Sequence, residues 1–118
     1  MTISKYRAVP TVVDGIRFAS MAEARRYQEL RLLEKAGKIR NLKLQPKFPL
    51  LVNGIKVGTY IADFGYELPN GPSLRDAVSK WSMVVPATED VKGVLTPMYR
   101  LKKKMVFAQY GITITEVA

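Results

Sequence analysis

Thr88-Glu89-Asp90-Val91-Lys92-Gly93, then Thr96-Pro97-Met98, and beyond Gly111 the alternating run Ile112–Val117, read as a strand, a capped helix and a strand. Residues two apart on a strand share a face, so Asp90 and Lys92 project together while Val91 points to the opposite, core side. Thr96 is suited to the N-cap, and Pro97 to the first helical position, where a missing N–H is no loss. Met98, Leu101, Met105 and Ala108 recur at helical spacing and define the apolar side of an amphipathic helix that Gly111 closes.

Toward the N-terminus, Thr11–Phe18 is a small hairpin turning at Asp14-Gly15, a pair that tolerates positive φ. Ser20, with Glu23 three residues on, forms a capping box, and Gly37 is a stop, so Ser20–Ala36 is helical. Its apolar residues, among them Met21, Ala24, Tyr27, Leu30, Leu32 and Leu33, fall around most of the circumference, which predicts cover on more than one side. From Ile39 the period is two, Leu42 and Leu44 alternating with Asn41, Lys43 and Gln45 as far as Pro46. Phe48–Val52 and Ile55–Tyr60 flank Asn53-Gly54, the strongest hairpin signal in the chain. Ile61–Glu67 continues as a strand toward the turn cluster Leu68-Pro69-Asn70-Gly71-Pro72. Ser73–Lys80 has no clear period; Trp81–Val85 is β-prone, and Pro86 interrupts it before Thr88–Gly93. Helix, several strands, helix, strand is an α/β arrangement around a mixed sheet. With 118 residues and no repeat, linker or low-complexity stretch, a single domain over residues 1–118 is expected.

Lys and Arg number 19 against 10 Asp and Glu, a formal charge of +9, which makes a polyanion the natural partner. The absence of cysteine and histidine excludes disulfides, Cys/His zinc centres, thiol nucleophiles and imidazole catalysis. Carboxylates, lysine, hydroxyls and an oxygen-bound metal remain. A 47% hydrophobic content is too high for a disordered basic tail. No apolar run approaches the roughly 20 residues that span a bilayer, and Met1–Pro10 has no apolar segment behind Lys5 and Arg7. A cytoplasmic protein with no membrane partner is expected.

The chemistry-bearing residues are carboxylates in unusual places. Asp90-x-Lys92 can hold a hard cation and offset phosphoryl charge, although so short a pattern also arises by chance as a solvated ion pair. Asp63 sits in the apolar, β-prone run Tyr60-Ile61-Ala62-Asp63-Phe64, where burying an unpaired charge costs several kcal/mol by order of magnitude. A strand-end turn ahead of Gly65 is the alternative. If the Asp63 and Asp90 strands are neighbours, both carboxylates can share a Mg²⁺. Glu23 has its capping role, yet it lies on the helix side that carries Tyr27 and Leu30. Arg100, Lys102, Lys103 and Lys104 can lie along a phosphate backbone, or simply solvate a helix face. Trp81 and the tyrosines are read as packing residues, not base-stacking platforms.

The order of these residues resembles the PD-(D/E)XK nuclease superfamily: an acid in the first turn of an N-terminal helix, an Asp in a middle strand, an acid-x-Lys on the next, then a helix. Lys5-Tyr6, Asp14–Ser20, Glu23-Ala24-Arg25-Arg26-Tyr27, Leu44-Gln45-Pro46, Tyr60–Phe64, Glu89–Gly93 and Thr96–Lys104 are similar to small phage and prophage nucleases long catalogued only as a domain of unknown function. The Ser-x-x-Glu entry is also similar to transposon endonuclease subunits and phage junction-resolving enzymes. Ala62 stands where the superfamily pattern has proline before the first Asp.

The resemblance implies a restriction-endonuclease-like core, a mixed β-sheet flanked by helices, and a Mg²⁺- or Mn²⁺-dependent endonuclease that hydrolyses DNA phosphodiester bonds. It implies Asp63 and Asp90 as metal ligands, the Val91 carbonyl as a further ligand, and Lys92 as the residue that positions the attacking water. Glu23 would support a second metal or hold Lys92. Gln45 enters through the resemblance alone, with an exposed strand residue as its alternative, and Glu89, expected to face away from Asp90, is second choice for the metal. A branched-DNA or Holliday-junction resolvase working as a homodimer beside phage replication or recombination proteins, in the bacterial host cell, is the expected biological form. The rival readings are a non-catalytic basic nucleic-acid-binding module and a nuclease subunit that needs a partner.

Overall fold

Two tight turns with positive φ at both central positions organise the strands. Asp14 and Gly15 have φ of 53° and 73°, and Asn53 and Gly54 have 51° and 79°, which matches the right-handed twist of the strands they join. The computed structural model describes residues 9–71, 80–92 and 94–118. Lys5-Tyr6, Gly93 and most of Ser73–Lys80 lie outside the described residues. The first turn joins β1 (Thr11–Val13) to β2 (Ile16–Phe18), and the second joins β4 (Lys47–Val52) to β5 (Ile55–Ile61). Helix α1 (Met21–Lys35) starts on Ser20, whose hydroxyl accepts from the Glu23 N–H at 3.1 Å. Strands β3 (Arg40–Leu44), β6 (Phe64–Pro69) and β7 (Val84–Val91), then α2 (Pro97–Tyr110) and β8 (Ile114–Val117), complete the order.

The main sheet runs β3-β6-β7-β8, with β3–β6 and β6–β7 antiparallel and β7–β8 parallel. It is a mixed sheet in an α/β fold, and α2 supplies the crossover that a parallel pair requires. The β4–β5 pair continues the β3–β6 pair as one kinked ribbon: the Gln45 N–H donates to the Asp63 carbonyl and the Ala62 N–H to the Pro46 carbonyl, both at 3.0 Å. Gly65 lets Pro46 close on the kink, since a Cβ there would stand 3.3 Å from Pro46 Cγ.

Two apolar clusters cover the two faces. Phe18, Ala24, Tyr27, Leu30, Ile39 and Phe64 fill the α1 side, with Val91 packed against them. Leu50, Tyr60, Ala62, Tyr99, Val106 and Ile114 fill the α2 side. Strand alternation therefore sends Glu89 and Val91 toward α1, and Thr88 and Asp90 toward α2.

Several expectations need correction. Helix α1 buries one stripe, Ala24, Tyr27 and Leu30, while Met21, Leu32 and Leu33 are exposed, because its packing partners β1, β2, β3 and β7 all lie on one side. Helix α2 turns Tyr99 and Val106 inward, leaving Met98 and Leu101 outside. Pro86 does not interrupt β7; it pairs with Glu67, and β8 reaches only as far as Thr88, so this part of β7 is an edge where proline is tolerated. Lys80–Ser82 is a 3₁₀ turn rather than the start of a strand.

On the α1 side the buried Glu89 carboxylate is held by the Arg26 guanidinium through two hydrogen bonds of 2.7 Å and by the Tyr66 hydroxyl. Removing the guanidinium leaves a charge that is 2% exposed without its cation. Arg26→Ala is expected to lower the unfolding free energy by about 3–5 kcal/mol, measured by urea denaturation.

Candidate active site

Asp63 occupies the kink between β5 and β6, opposite Gln45-Pro46. Its N–H donates to the Glu89 carbonyl at 3.1 Å and to Asp90 Oδ1 at 3.0 Å, and its own Oδ2 accepts from the Val91 N–H at 2.8 Å. The two aspartates thus clasp each other's strand at the end of β7. The turn-residue reading of Asp63 and the buried-acid reading both describe it: it breaks the ribbon, and it is partly buried against Asp90. Asp90 is 1% exposed, and its Oδ2 has no hydrogen-bond partner among the described residues.

Lys92 follows β7 directly and is tied to β8 by its N–H, which donates to the Val117 carbonyl at 2.9 Å. Its Nζ stands 3.9 Å from Asp90 Oδ2 and 4.5 Å from the centre of the Tyr99 ring. The ring offers the ammonium a negative face and limits where it can swing. Glu23, in the first turn of α1, accepts from the Ala19 N–H and is close enough to feel repulsion from Asp63 and Asp90 and attraction from Lys92. Chain positions 23, 63, 90 and 92 thereby meet at one end of the sheet.

Burial raises all three carboxylic acids above their ordinary range. For Glu23, repulsion from Asp63 adds to burial; for Asp63, the Val91 amide and Lys92 oppose it. For Asp90, burial prevails over the attraction of Lys92 and the Asp63 amide, and its pKa is pushed up to about 6. Burial also raises the Tyr99 phenol. Among the described residues no three Asp, Glu, His or Cys side chains form a ready-made metal cage. The donors fit a hard divalent cation all the same: they are oxygens only, and one buried carboxylate oxygen accepts no hydrogen bond among the described residues.

The remaining expected residues are placed differently. Glu89 faces α1 with its carboxylate taken up by Arg26 and Tyr66, so it is not available to a cation held at Asp90. Gln45 exposes its side chain, and its backbone N–H supports the Asp63 carbonyl. The basic run divides. Lys102 and Lys103 flank the buried Tyr99 and Val106 on either side and are half-buried, whereas Arg100 and Lys104 are exposed and lie with Lys103 along one side of the helix. Two residues of this site went unread in the sequence. Glu116 is the register partner of Asp90 on β8, shares its face, adds repulsion to its charge, and bonds Lys103 at 2.7 Å. Tyr99 lies under Lys92. An acid in an alternating C-terminal strand was the available signal for Glu116, but only the parallel register brings it beside Asp90.

The raised pKa gives a signed pH dependence. The folded Asp90 carboxyl holds its proton up to about pH 6, the unfolded one only to about pH 4. Between those values the folded state binds more protons, so stability at this residue falls as pH rises through the window. Asp90→Asn removes that loss. In metal-free buffer the variant is expected to exceed the parent by on the order of 2 kcal/mol above pH 7, the gap closing as pH falls from about 6 to 4, as read by denaturation at each pH.

No curated protein and no solved structure matches the chain. A family model described as a protein of unknown function matches residues 3–115, almost the whole length, and the chain belongs to that family, DUF1064.

Proposed function

We propose that this protein is a divalent-metal-dependent DNA endonuclease that hydrolyses phosphodiester bonds, built on a restriction-endonuclease-like core of the PD-(D/E)XK type. The observation that carries the reading is the buried Asp90 Oδ2, which accepts no hydrogen bond among the described residues and faces only the Lys92 ammonium, 3.9 Å away, on a strand clasped to Asp63. Carboxylates held in this way, at the end of a strand in a chain of charge +9, suit a cation and a polyanionic substrate together.

Asp63, Asp90 and the Val91 carbonyl would hold Mg²⁺ or Mn²⁺, with Glu23 placed for a second ion or for Lys92. Bound there, the cation supplies Lewis acidity and offsets charge that develops on the phosphodiester. Lys92, steadied over Tyr99, keeps a cationic donor beside Asp90, where it can orient a water toward phosphorus and offset phosphoryl charge. Arg100 and Lys104 supply salt-sensitive affinity for the phosphate backbone without reading sequence. A homodimer would offer two such sites to the two strands of a branched junction, and phage replication or recombination proteins are the partners such a resolvase would serve.

A second reading has its own observation. Asp63 and Asp90 each accept a backbone N–H across the strand join, as two purely structural acids would, and the chain would then be a non-catalytic nucleic-acid-binding module. Cleavage of linear, nicked, flapped and four-way DNA in Mg²⁺ and Mn²⁺ separates the two. Asp90→Asn and Lys92→Ala are each expected to reduce the cleavage rate by roughly a hundredfold or more. Metal-free DNA affinity should hold or rise for Asp90→Asn, which removes a charge that repels phosphate, and fall modestly for Lys92→Ala. A folded variant of either kind that cleaves at the parental rate would leave the binding module as the better account.

A further inference from the structure

Arg100, Lys103, Lys104 and Phe107 stand at i, i+3, i+4 and i+7 on α2, one stripe of the helix to the side of the buried Tyr99 and Val106. Together with Leu95 and Glu116 they line a hollow of about 440 Å³ between α2 and β8. Its lining is mostly apolar, with three cationic side chains among the residues that form it. Phe107 is 57% exposed, a large ring presented to solvent at the end of a basic stripe. Lys103 is partly neutralised by Glu116, while Arg100 and Lys104 make no ion pair among the described residues.

We propose that this hollow binds an unpaired stretch of nucleic acid, one base lying on the Phe107 ring while Arg100 and Lys104 take the flanking phosphates. An aromatic face set among cations is the arrangement that holds single strands without regard to sequence, because every base has a face to stack and every linkage a charge. A duplex keeps its bases paired and stacked and offers this stripe only phosphates, so Phe107 adds nothing to duplex binding. The same face of a second copy is disfavoured as the occupant, since its Arg100 and Lys104 would meet these same cations.

The position gives the hollow its meaning. Glu116 lines it and is also the register partner of Asp90, so the hollow adjoins the candidate active site across one strand. Resting on the nuclease proposal, the assignment narrows the substrate to DNA with an unpaired arm beside the bond to be cut. Strand capture itself needs neither metal nor cleavage.

The test is fluorescence anisotropy of labelled oligothymidylate of about 12 nucleotides and of a blunt duplex, both in EDTA. Phe107→Ala is expected to weaken oligothymidylate binding about tenfold and duplex binding less than about twofold. Phe107→Trp should keep the parental affinity, and oligothymidylate should quench the emission it adds to that of Trp81. The proposal is overturned if Phe107→Ala binds oligothymidylate as the parent does, if both ligands weaken equally, or if the variant changes only the oligomeric state in light scattering. A protein that captures single strands through Phe107 yet cuts no DNA keeps this site and loses the nuclease reading. One that cuts DNA with Phe107→Ala binding unchanged does the reverse.

Discussion

Asp63 is fastened to β7 by three hydrogen bonds, two given by its N–H to the Glu89 carbonyl and Asp90 Oδ1 and one accepted by its Oδ2 from the Val91 N–H. Much else depends on that clasp. The ribbon that begins as β3 and β6 changes direction at Gln45-Pro46 and Ala62-Asp63, and the clasp fixes the kink against the middle of the sheet. It lets β4 and β5 fold over α2, where Leu50 and Tyr60 meet Tyr99 and Val106. It also makes the end of β7 the meeting point of α1, the kinked ribbon and β8.

Glu89 and Asp90 show how one strand treats adjacent buried acids in opposite ways. Both are almost fully enclosed, at 2% and 1% exposure. On the α1 face a planar guanidinium and a phenol answer the Glu89 carboxylate, and the charge is stable because its partners are fixed. On the α2 face Asp90 Oδ1 receives one amide, its Oδ2 accepts no hydrogen bond among the described residues and has only a distant ammonium, and Glu116 repels it. A protein with a cation-rich composition leaves this acid underneutralised while satisfying its neighbour. That asymmetry is the physical basis for reading the α2 face as the working one and the α1 face as structural.

Local chemistry in the sequence was enough to place the turns at Asp14-Gly15 and Asn53-Gly54, the Ser20 and Thr96 caps and the stop at Gly111, because each is decided by a few neighbouring residues. Asp63 was conspicuous as a charge inside a β-prone run, and Asp90 through the Asp-x-Lys spacing that puts it on one strand face with Lys92. What escaped depends on register and on which side of an element meets the core. Glu116 looks like any acid on an exposed strand until the parallel pairing sets it beside Asp90. Met98 and Leu101 have the spacing of a core stripe, but Tyr99 and Val106 take that place, since the ribbon and β8 approach α2 from their side. Pro86 reads as a strand breaker unless β8 is known to end short of it. The Lys102–Lys104 run reads as one patch, and helical geometry divides it.

The proposed endonuclease therefore requires that Asp63 and Asp90 hold a cation, beside a lysine and a basic, aromatic helix stripe. That requirement is electrostatic, and calorimetric titration of the folded chain with Mn²⁺ near neutral pH tests it most directly, without any DNA. The account predicts saturable binding that Asp63→Asn and Asp90→Asn each abolish. Absence of saturable binding in the parent, or equal binding by the Asp90→Asn variant, would contradict it.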